Sequence, residues 1–499
     1  MTHTDYTITI RKGGTVLVDM QGFVLPPGRI TFLFGESGIG KSLTGKALFG
    51  LLDPDDLTAT VNGQSYETYR ASAAARKMRA KGFFVFQEPS SHLNPLMTLQ
   101  EQLDEAHSDT AGLSPILRAL WQGSEDDDLR DLLRVYPKPH RPSGGEKQRI
   151  LCAMALHRMM TTPDLGGTDE ALFVFDEPTG SLDNRYRDVV LGLIAEAFRR
   201  RPCTVLIITH DYSMISMVTE HWHDIRDRVA FTEMTLTEEG QRQKAFAPDT
   251  YISWIRKLQP LRPTDAGEAA APAILRVEPS LSVFGRDLTI TGRDSRLPHP
   301  LTIAPGTMAY LKAPSGMGKT TLAKMVMGLV REGRFSATLG GIHLSEKTHR
   351  STWEREIWGR KAAMVFQHAD EALNPRSRVS EVFDGLPGLT ISREEVGRRV
   401  LAFIGGDSEA GFLERRAGSL SGGQKQRLNI LRGLLLETPL LILDEPLNGL
   451  DFASMKNVLD LLHERLARGQ GILLISHNEE VFDALIPAKD LYYLTAEPS

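Results

Sequence analysis

Five short motifs occur twice in this chain, in the same order, and this repeat is the strongest constraint on its fold. Corresponding motifs lie roughly 270–280 residues apart, which is the sequence signature of a duplicated unit. At 499 residues the chain is also too long for a single hydrophobic core. We therefore predict two tandem domains, residues 1–258 and 275–499, joined by a linker at 259–274 that is rich in Pro, Ala and Gly.

The bulk composition indicates an ordinary globular protein of a reducing compartment. The chain is 41% hydrophobic and 24% charged, and its net charge of −5 gives no sign of nucleic-acid binding. Its two cysteines, Cys152 and Cys203, are too few for a disulfide framework or a zinc site, and we predict them to be small core residues. We find neither a signal-peptide pattern at Met1–Tyr6 nor an apolar run long enough to span a membrane.

The first repeated motif is a glycine loop, residues 35–42, between an apolar strand-like run and a helical pattern. Glycines let such a loop turn its N–H groups and the helix N-terminus toward phosphate oxygens. A lysine would reach the β- and γ-phosphates, and the next hydroxyl would ligate Mg²⁺. An ordinary turn is the alternative for one match, but the repeat argues against it. The predicted nucleotide-binding residues are Gly35, Ser37, Gly38, Gly40, Lys41 and Ser42 in the first copy, and Ser315, Gly316, Gly318, Lys319 and Thr320 in the second.

A second repeated motif is an apolar strand that ends in Asp-Glu. Asp176 and Asp444 are placed to hold Mg²⁺, and in this the motif resembles that of P-loop NTPases. The glutamates that follow, Glu177 and Glu445, would polarise or deprotonate the attacking water. The runs before both aspartates are β-rich and unbroken, which is typical of buried parallel strands. We therefore predict two copies of a hydrolytic centre.

Two further pairs of residues follow strand-like runs in both copies. Gln87 and Gln367 are predicted to contact the metal and sense the γ-phosphate. His210 and His477 are predicted catalytic residues that donate to the γ-phosphate. A lone histidine is more often a surface or core residue, but the matching positions in the two copies favour the functional interpretation.

A Ser-Gly-Gly sequence before a helix forms another candidate anion site in each copy, because it offers a hydroxyl, flexible backbone and a helix N-terminus. The phosphate loop already occupies the phosphates from its own side. This second motif is therefore expected to approach the nucleotide bound by the other half. Its predicted residues are Ser143, Gly144 and Gly145 in the first copy, and Ser421, Gly422, Gly423 and Gln424 in the second.

Together these motifs resemble the nucleotide-binding domains of ABC ATPases over nearly the whole chain. The resemblance implies an α/β fold of two tandem P-loop NTPase domains of the ABC type. Each domain would contain a RecA-like parallel-sheet core, an antiparallel β subdomain and a helical subdomain. It also implies that the halves pair head to tail around two ATP molecules with Mg²⁺, and that each ATP contacts the phosphate loop of one half and the Ser-Gly-Gly motif of the other.

A narrower resemblance lies in the glutamine segments. Residues Phe86–Pro95 look like the corresponding stretch of oligopeptide, dipeptide and nickel importer ATPases, and Phe366–Pro375 keep its Leu-Asn-Pro ending. This implies the motor subunit of a bacterial importer for a peptide, nickel, a metal chelate or an opine. Its partners would be two integral-membrane permease subunits and an extracytoplasmic solute-binding protein, with no nucleic acid. Its place would be peripheral, on the cytoplasmic face of the inner membrane.

Two alternatives remain open at this point. One is an accessory ATPase of a cytosolic enzyme complex, since ATPases of phosphonate carbon–phosphorus lyase systems share the narrower resemblance. The other is a soluble ABC ATPase that acts in translation or DNA repair. Translation-type members have a long charged helical linker, which the stretch 259–274 does not resemble, and repair-type members insert coiled coils or zinc sites, neither of which we find.

The two predicted sites differ in detail. Ala313 replaces the first glycine of the second loop, at a cost of ~1 kcal/mol if its φ is positive. Pro142 replaces a leucine before the first Ser-Gly-Gly, and Glu146 adds a negative charge near phosphates or ribose. We hypothesise that the site built on Lys41 hydrolyses ATP faster, with neutral drift as the alternative. For the aromatic residue that stacks on adenine in this family, Phe284 is a candidate in the second half, whereas Tyr6 lies too far upstream in the first.

Overall fold

The computed structural model describes residues 5–53, 55–106, 113–121, 126–136, 142–162, 171–180, 184–237, 240–260, 272–293, 297–314, 316–389, 391–404 and 410–496. The chain divides into two compact units, Met1–Ile252 and Ser253–Ser499. Most of the predicted linker, residues 261–271, lies outside the described residues. The boundaries at 258 and 275 therefore stay a prediction.

The first unit is built on one sheet of ten strands in the order β5-β4-β1-β2-β10-β9-β3-β8-β7-β6. Strands β9, β3, β8, β7 and β6 run parallel, and the remaining neighbours are antiparallel except for a single parallel bridge between β10 and β2. The strands are β1 (Asp5–Lys12), β2 (Thr15–Val24), β3 (Ile30–Gly35), β4 (Thr58–Val61), β5 (Gln64–Ser65), β6 (Phe83–Val85), β7 (Leu172–Asp176), β8 (Thr204–Ile208), β9 (Val229–Thr237) and β10 (Gly240–Ala245).

The described part of the first unit and the junction contain ten α-helices. The central strands β3, β7 and β8 are buried along their whole length, as expected of apolar parallel strands covered on both faces. The helices are α1 (Lys41–Phe49), α2 (Tyr66–Ala71), α3 (Ala73–Lys81), α4 (Leu99–Ala106), α5 (Leu113–Leu120), α6 (Asp126–Leu133), α7 (Gly144–Thr161), α8 (Asn184–Arg200), α9 (Met214–His221) and α10 (Pro248–Lys257).

The second unit contains a four-stranded antiparallel sheet, β14-β11-β16-β17, and a seven-stranded sheet, β12-β13-β21-β15-β20-β19-β18. Strands β21, β15, β20, β19 and β18 are parallel. The strands are β11 (Leu275–Val277), β12 (Ser280–Val283), β13 (Arg286–Gly292), β14 (Leu301–Ile303), β15 (Met308–Lys312), β16 (Ser336–Leu339), β17 (Ile342–Ser345), β18 (Ala362–Val365), β19 (Leu440–Asp444), β20 (Gly471–Ile475) and β21 (Leu491–Ala496).

The helices of the second unit form two groups. One group covers the seven-stranded sheet, and the other, around α13 and α14, has its own apolar cluster that includes Phe383, Val400 and Phe412. The predicted fold class is therefore confirmed, with a parallel core, antiparallel strands and a helical subdomain. The helices are α11 (Lys319–Val326), α12 (Arg350–Thr352), α13 (Arg393–Ile404), α14 (Ala410–Glu414), α15 (Gly422–Leu435), α16 (Phe452–Ala467) and α17 (Glu479–Leu485).

Among the residues that the structure describes, none of the helices combines the length and the apolarity needed to cross a bilayer. Both cysteines, Cys152 and Cys203, are buried and free, as predicted for core residues.

Candidate nucleotide sites

The first glycine loop connects the end of β3 to the start of α1. Gly35, Gly38 and Gly40 have φ values of +142°, +83° and +107°, a region that residues with a Cβ rarely adopt. A Cβ placed on Gly35 would lie 2.6 Å from the carbonyl oxygen of Met234 in β9. Gly35 is therefore required both by its backbone conformation and by the neighbouring strand.

Lys41 begins α1 and is buried beneath this loop. Its Nζ donates to the carbonyl oxygens of Gly35 (2.6 Å) and Glu36 (2.9 Å). Next to it, the Ser42 hydroxyl donates to Oδ1 of Asp176 at 2.8 Å. The structure thus brings together the lysine, the hydroxyl and the aspartate that the sequence placed on different elements.

Asp176 and Glu177 lie at the carboxyl end of β7. Burial raises the pKa of Asp176 to about 6, although the hydrogen bond from Ser42 opposes this rise. Glu177 has a φ of +47°, and its N–H donates to the carbonyl oxygen of Ile208 at the end of β8. This strained backbone turns the glutamate out of the strand direction, a kind of conformation that is common at functional sites.

His210 follows β8 and reaches the same glutamate. Its Nδ1 lies 2.8 Å from Oε1 of Glu177. Burial disfavours the charged imidazolium, but the adjacent Glu177 carboxylate outweighs this effect, and the pKa of His210 is raised. In the first unit, the predicted catalytic pair is therefore in direct side-chain contact.

The second glycine loop borders a cavity of about 460 Å³. Its walls come from the β12–β13 hairpin, the glycine loop, the glutamine segment and the ends of β19 and β20. The lining residues are Val283, Phe284, Arg286, Leu288, Gly316, Met317, Gly318, Lys319, Thr320, Thr321, Gln367, Asp444, Glu445, Ile475 and His477. Eight residues of this wall were predicted for the second site, whereas predicted residue Ser315 lies outside the described residues.

Within this cavity the lysine and hydroxyl repeat the contacts of the first unit. Lys319 Nζ donates to the carbonyl oxygens of Ala313 (2.6 Å) and Pro314 (3.3 Å). The Thr320 hydroxyl donates to Oδ1 of Asp444 at 3.2 Å. Burial raises the pKa of Asp444.

A divalent cation fits beside these hydroxyl–carboxylate pairs. The second carboxylate oxygen of Asp444, Oδ2, is buried without a hydrogen-bond partner among the described residues. A buried, unsatisfied carboxylate oxygen is costly, and Mg²⁺ prefers oxygen ligands of this kind. The residues present are thus chemically suited to Mg²⁺ that is bound together with a triphosphate.

Glu445 is held differently from Glu177. Its Oε2 accepts from the backbone N–H of His477 (2.9 Å) and from the Ser476 hydroxyl (3.3 Å), while His477 Nε2 lies 3.6 Å from Oε1. Burial raises the pKa of Glu445 to about 7, against the opposing effect of the His477 N–H. Its backbone again has a positive φ, +51°.

The strain considered for Ala313 does not occur. Among the described non-glycine residues, only Asn62, Glu177, Phe284, Glu437 and Glu445 have positive φ, and Ala313 is not one of them. The physical reason lies in the sheet. Strand β3 pairs with β9 as far as Gly35, whereas β15 pairs with β21 only as far as Lys312, so that Ala313 is released from the strand.

Both Ser-Gly-Gly motifs begin a helix through a capping box. The Ser143 hydroxyl accepts from the N–H of Glu146, and the Glu146 carboxylate accepts from the N–H of Ser143 at 2.6 Å. Ser421 and Gln424 make the same reciprocal pair. The negatively charged carboxylate of Glu146 is therefore hydrogen-bonded to the backbone at the N-terminus of its own helix. The remaining residues of the motifs, Gly144, Gly145, Gly422 and Gly423, form the first turns of α7 and α15.

Each glutamine segment is connected to the helix that follows Ser-Gly-Gly. Lys147 donates to the Ser90 hydroxyl at 3.1 Å, and Lys425 forms an ion pair with Asp370 at 3.0 Å. Gln87 is exposed after β6, whereas Gln367 lines the second cavity. The two glutamine segments therefore contact a lysine of that helix at the same position, through an uncharged hydroxyl in the first unit and a carboxylate in the second.

The aromatic candidates have different environments. Tyr6 packs against the core of the first unit, and burial raises its pKa. Phe284 lines the second cavity and is 63% exposed. Sequence analysis missed Arg286 and Ser476. A two-residue turn between alternating apolar residues was the available signal for the hairpin that carries Arg286, and the signal for Ser476 was its position directly before the repeated histidine.

Comparison with known proteins identifies the repeated unit. A family model described as "ABC transporter" matches residues 19–180 and 298–448. The chain is 28% identical to the peptidoglycan transport ATP-binding protein YejF of Agrobacterium fabrum, covering 98% of this chain and 89% of that protein. It is 30% identical to the uncharacterized ABC transporter ATP-binding protein YejF of Escherichia coli K12, covering 94% and 89%.

A further relative and a solved structure are similar to this chain at lower sequence identity. The glutathione import ATP-binding protein GsiA of Escherichia coli O157:H7 is 26% identical, covering 95% of this chain and 81% of that protein. Among solved structures, one titled RNase-L Inhibitor superposes with a TM-score of 0.60 at 18% identity, covering 97% of this chain and 89% of that chain. At that identity, the structural match concerns the fold alone.

Proposed function

Because this chain belongs to the ABC transporter family and is an ATPase, we propose that it is the motor subunit of an importer for peptide-type solutes. The observation that carries the proposal is that a buried lysine, a hydroxyl–aspartate pair and a glutamate–histidine pair meet at a glycine loop in each unit. Import of a peptide-type solute is favoured by the names of the relatives and by the Leu-Asn-Pro segments. Nickel, a metal chelate and an opine remain solutes that the test below distinguishes.

Binding of ATP is proposed to use the loop lysines. Lys41 and Lys319 already point at loop carbonyls, so each lysine would exchange those acceptors for phosphate oxygens without a large movement. The N–H groups of the glycine loop and of the helix N-terminus would hold the same phosphates. Mg²⁺, held by the Ser42–Asp176 and Thr320–Asp444 pairs, would neutralise phosphate charge when bound.

Hydrolysis is proposed to use Glu177 and Glu445 as general bases toward water. The 2.8 Å contact to His210 orients the Glu177 carboxylate, while Ser476 and the His477 N–H orient that of Glu445. Gln87 and Gln367 would report the state of the γ-phosphate to the rest of the protein. These roles follow from position and chemistry, and each can be tested by substitution.

We also infer that each nucleotide is completed by the Ser-Gly-Gly motif of the other half. The hydroxyls of Ser143 and Ser421 lie at the N-termini of α7 and α15, where the helix dipole favours an anion. The phosphates bound to a glycine loop leave one side open to such a partner. One site would pair Lys41 with Ser421, and the other would pair Lys319 with Ser143.

The proposed assembly contains this chain, two integral-membrane permease subunits and an extracytoplasmic solute-binding protein. The ATPase would sit peripherally on the cytoplasmic face of the inner membrane, since transport requires its contact with the permeases. The related proteins named for peptidoglycan transport and glutathione import support this arrangement.

The deciding experiment is a tagged purification from detergent-solubilised membranes, followed by identification of the co-purifying chains. We expect two multi-span permease subunits, whose operon or binding protein would then supply the solute for uptake assays. The matched control is a Lys41→Ala, Lys319→Ala protein, which should retain the permeases but lose ATPase activity. Recovery of only soluble enzymes or ribosomes would contradict the transport proposal and favour a cytosolic machine.

A further inference from the structure

A mostly buried arginine connects helix α8 to the turn that carries His210. This residue, Arg187, lies in the first turn of α8, and its side chain is 12% exposed. Its Nη1 donates to Oδ2 of Asp211 at 3.2 Å, and Asp211 directly follows His210 in the chain. A charge that is largely removed from water needs an opposite charge as its partner. The ion pair is therefore a fixed contact between α8 and the residue next to the histidine.

Asp211 is held by further hydrogen bonds within the same turn. Its Oδ1 accepts from the N–H of Ser213 at 3.0 Å and from the Ser213 hydroxyl. Its own N–H donates to the hydroxyl of Thr209 at 3.0 Å. Arg187 donates to the Ser213 hydroxyl as well. Side chains thus fix the backbone on both sides of His210, and one of them belongs to α8.

This network holds His210 where it meets Glu177. The His210 side chain is 23% exposed, and its Nδ1 lies 2.8 Å from Oε1 of Glu177. A displacement of the imidazole by about 1 Å would lengthen this contact beyond hydrogen-bonding distance. The orientation of the Glu177 carboxylate therefore depends on the position of the turn, and through Arg187 on the position of α8.

The second unit has an uncharged pair at the equivalent positions. The spacing of the repeated motifs places Met455 at the position of Arg187, and Asn478 at the position of Asp211. Met455 is buried, and its thioether has no proton to donate. The N–H of Asn478 still donates to the hydroxyl of Ser476 at 3.1 Å. The turn itself is thus repeated, while the ion pair that ties it to the helix is replaced.

The histidine of the second unit also has a different position. His477 is 37% exposed, and its Nε2 lies 3.6 Å from Oε1 of Glu445, which is too far for a hydrogen bond. Glu445 accepts instead from the backbone N–H of His477 and from the Ser476 hydroxyl. The short contact between the histidine and glutamate side chains therefore accompanies the ion pair, and it is longer where the ion pair is replaced.

We propose that Arg187 and Asp211 are positioning residues for hydrolysis at the first nucleotide site, and that they act through His210. Their ion pair holds the imidazole against Glu177, whose carboxylate is thereby directed toward the attacking water. The second site orients its glutamate without this ion pair. This inference rests on the roles that the proposed function gives to His210 and Glu177, and it supplies a structural basis for unequal sites.

The test measures ATP hydrolysis in a Glu445→Gln background, where turnover reports the first site. Arg187→Met combined with Asp211→Asn installs the uncharged pair of the second unit and leaves neither charge buried without its partner. We expect kcat to fall about tenfold, because a misplaced group orients the reacting water poorly. The KM for ATP should change less than about twofold, since the lysine and hydroxyl contacts of the glycine loop are untouched. Arg187→Lys keeps the charge and should recover most of the lost turnover.

Two further variants separate positioning from a general effect on the fold. Asp188→Asn is the matched control, because Asp188 pairs with Arg187 at 2.9 Å but lies outside the turn, and its kcat should stay within about twofold of the parent. In a His210→Ala protein, adding the Arg187→Met, Asp211→Asn pair should not lower the single-turnover rate further, because both changes act through one imidazole. Unfolding midpoints confirm that each rate is measured on folded protein.

The outcomes distinguish this inference from the proposed function. An unchanged kcat in the Arg187→Met, Asp211→Asn protein, an equal loss in Asp188→Asn, or a further loss on top of His210→Ala would overturn the inference while ATP hydrolysis by Glu177 stands. If His210→Ala and Glu177→Gln both left the turnover of the first site unchanged, the hydrolytic roles in the proposed function would themselves be wrong.

Discussion

In the first unit the residue before the glycine loop is Phe34, whose ring stacks on Tyr212 with centroids 4.6 Å apart. In the second unit the equivalent residue is Lys312, which donates to Glu479 and Asp483 at 2.8 Å each. An aromatic pair and a charged cluster thus support the same loop. The lysine and hydroxyl contacts are repeated in the two units, whereas the residues that precede the loop differ in chemistry. The contrast indicates that the lysine and hydroxyl contacts are kept in both units while the residue before the loop can change in chemistry.

The largest expected effect comes from removing the proposed bases one at a time. We expect Glu177→Gln to lower total ATP turnover about tenfold and Glu445→Gln to lower it less than about twofold, because the site built on Lys41 is hypothesised to be the faster one. Steady-state phosphate release measures both. The double variant, which should lose about a hundredfold or more, is the reference for complete loss. Equal losses from the two single variants would count against unequal sites.

The supporting residues should differ in their contribution to stability. Phe34→Ala opens a cavity in a fully buried stack and should cost about 3–5 kcal/mol of unfolding free energy. Lys312→Ala removes hydrogen bonds to two half-exposed carboxylates and should cost about 1–2 kcal/mol. Urea unfolding of the full chain, with the transition of each unit monitored separately, measures both losses of unfolding free energy. A larger loss from Lys312→Ala would mean that the charged cluster is the stronger support.

Turnover at the second site should depend on pH through Glu445. In a Glu177→Gln protein only the second site hydrolyses, and Glu445, whose pKa is raised to about 7, must lose its proton to act as a base. Turnover should therefore rise about tenfold between pH 6 and pH 8. A Glu177→Gln protein whose turnover stays constant between pH 6 and pH 8 would contradict this assignment.

The same shift has a consequence for stability, with the sign fixed by linkage. The native pKa of Glu445 lies above its ordinary value of 4.5, so folding takes up a proton between about pH 4.5 and pH 7. The contribution of this group to the unfolding free energy therefore falls as the pH rises through that window. Glu445→Gln should flatten the pH dependence of the unfolding midpoint there, and an unchanged slope would show that the carboxyl is not buried as described.

The smallest expected effect concerns the glutamine segments. In the second unit, Lys425–Asp370 and Lys324–Glu371 are ion pairs with exposed or partly exposed carboxylates, whereas in the first unit Lys147 donates to the uncharged hydroxyl of Ser90. Asp370→Asn with Glu371→Gln should cost less than about 1 kcal/mol at low salt, and the loss should vanish at high salt. Ser90→Ala should show a smaller loss without salt dependence. Unfolding midpoints at two salt concentrations distinguish the cases.

Much of this arrangement was accessible from the sequence, because four of the five repeated motifs lie at the ends of apolar, strand-like runs. The Lys41–Ser42–Asp176 cluster follows from the rule that parallel strands present their carboxyl ends at one edge. The different backbone at Ala313 was not accessible, since it depends on how far β15 pairs with β21. The hydrogen bond from the N–H of Ser143 to the Glu146 carboxylate was not predicted from the sequence, although Ser-x-x-Glu is a known capping pattern.

The carbonyl oxygen of Met234 restricts the first position of the loop to glycine for a reason that does not involve the nucleotide. In the first unit, a Cβ at Gly35 would collide with that oxygen. The sheet itself therefore disfavours substitution of this glycine, whether or not a nucleotide is bound. In the second unit the released backbone at Ala313 accepts a methyl group. After a gene duplication, two copies of one motif can thus drift at different rates for purely architectural reasons. A residue that differs from the usual motif then reflects the local strand pairing, and it is not by itself a sign that the site has lost its function.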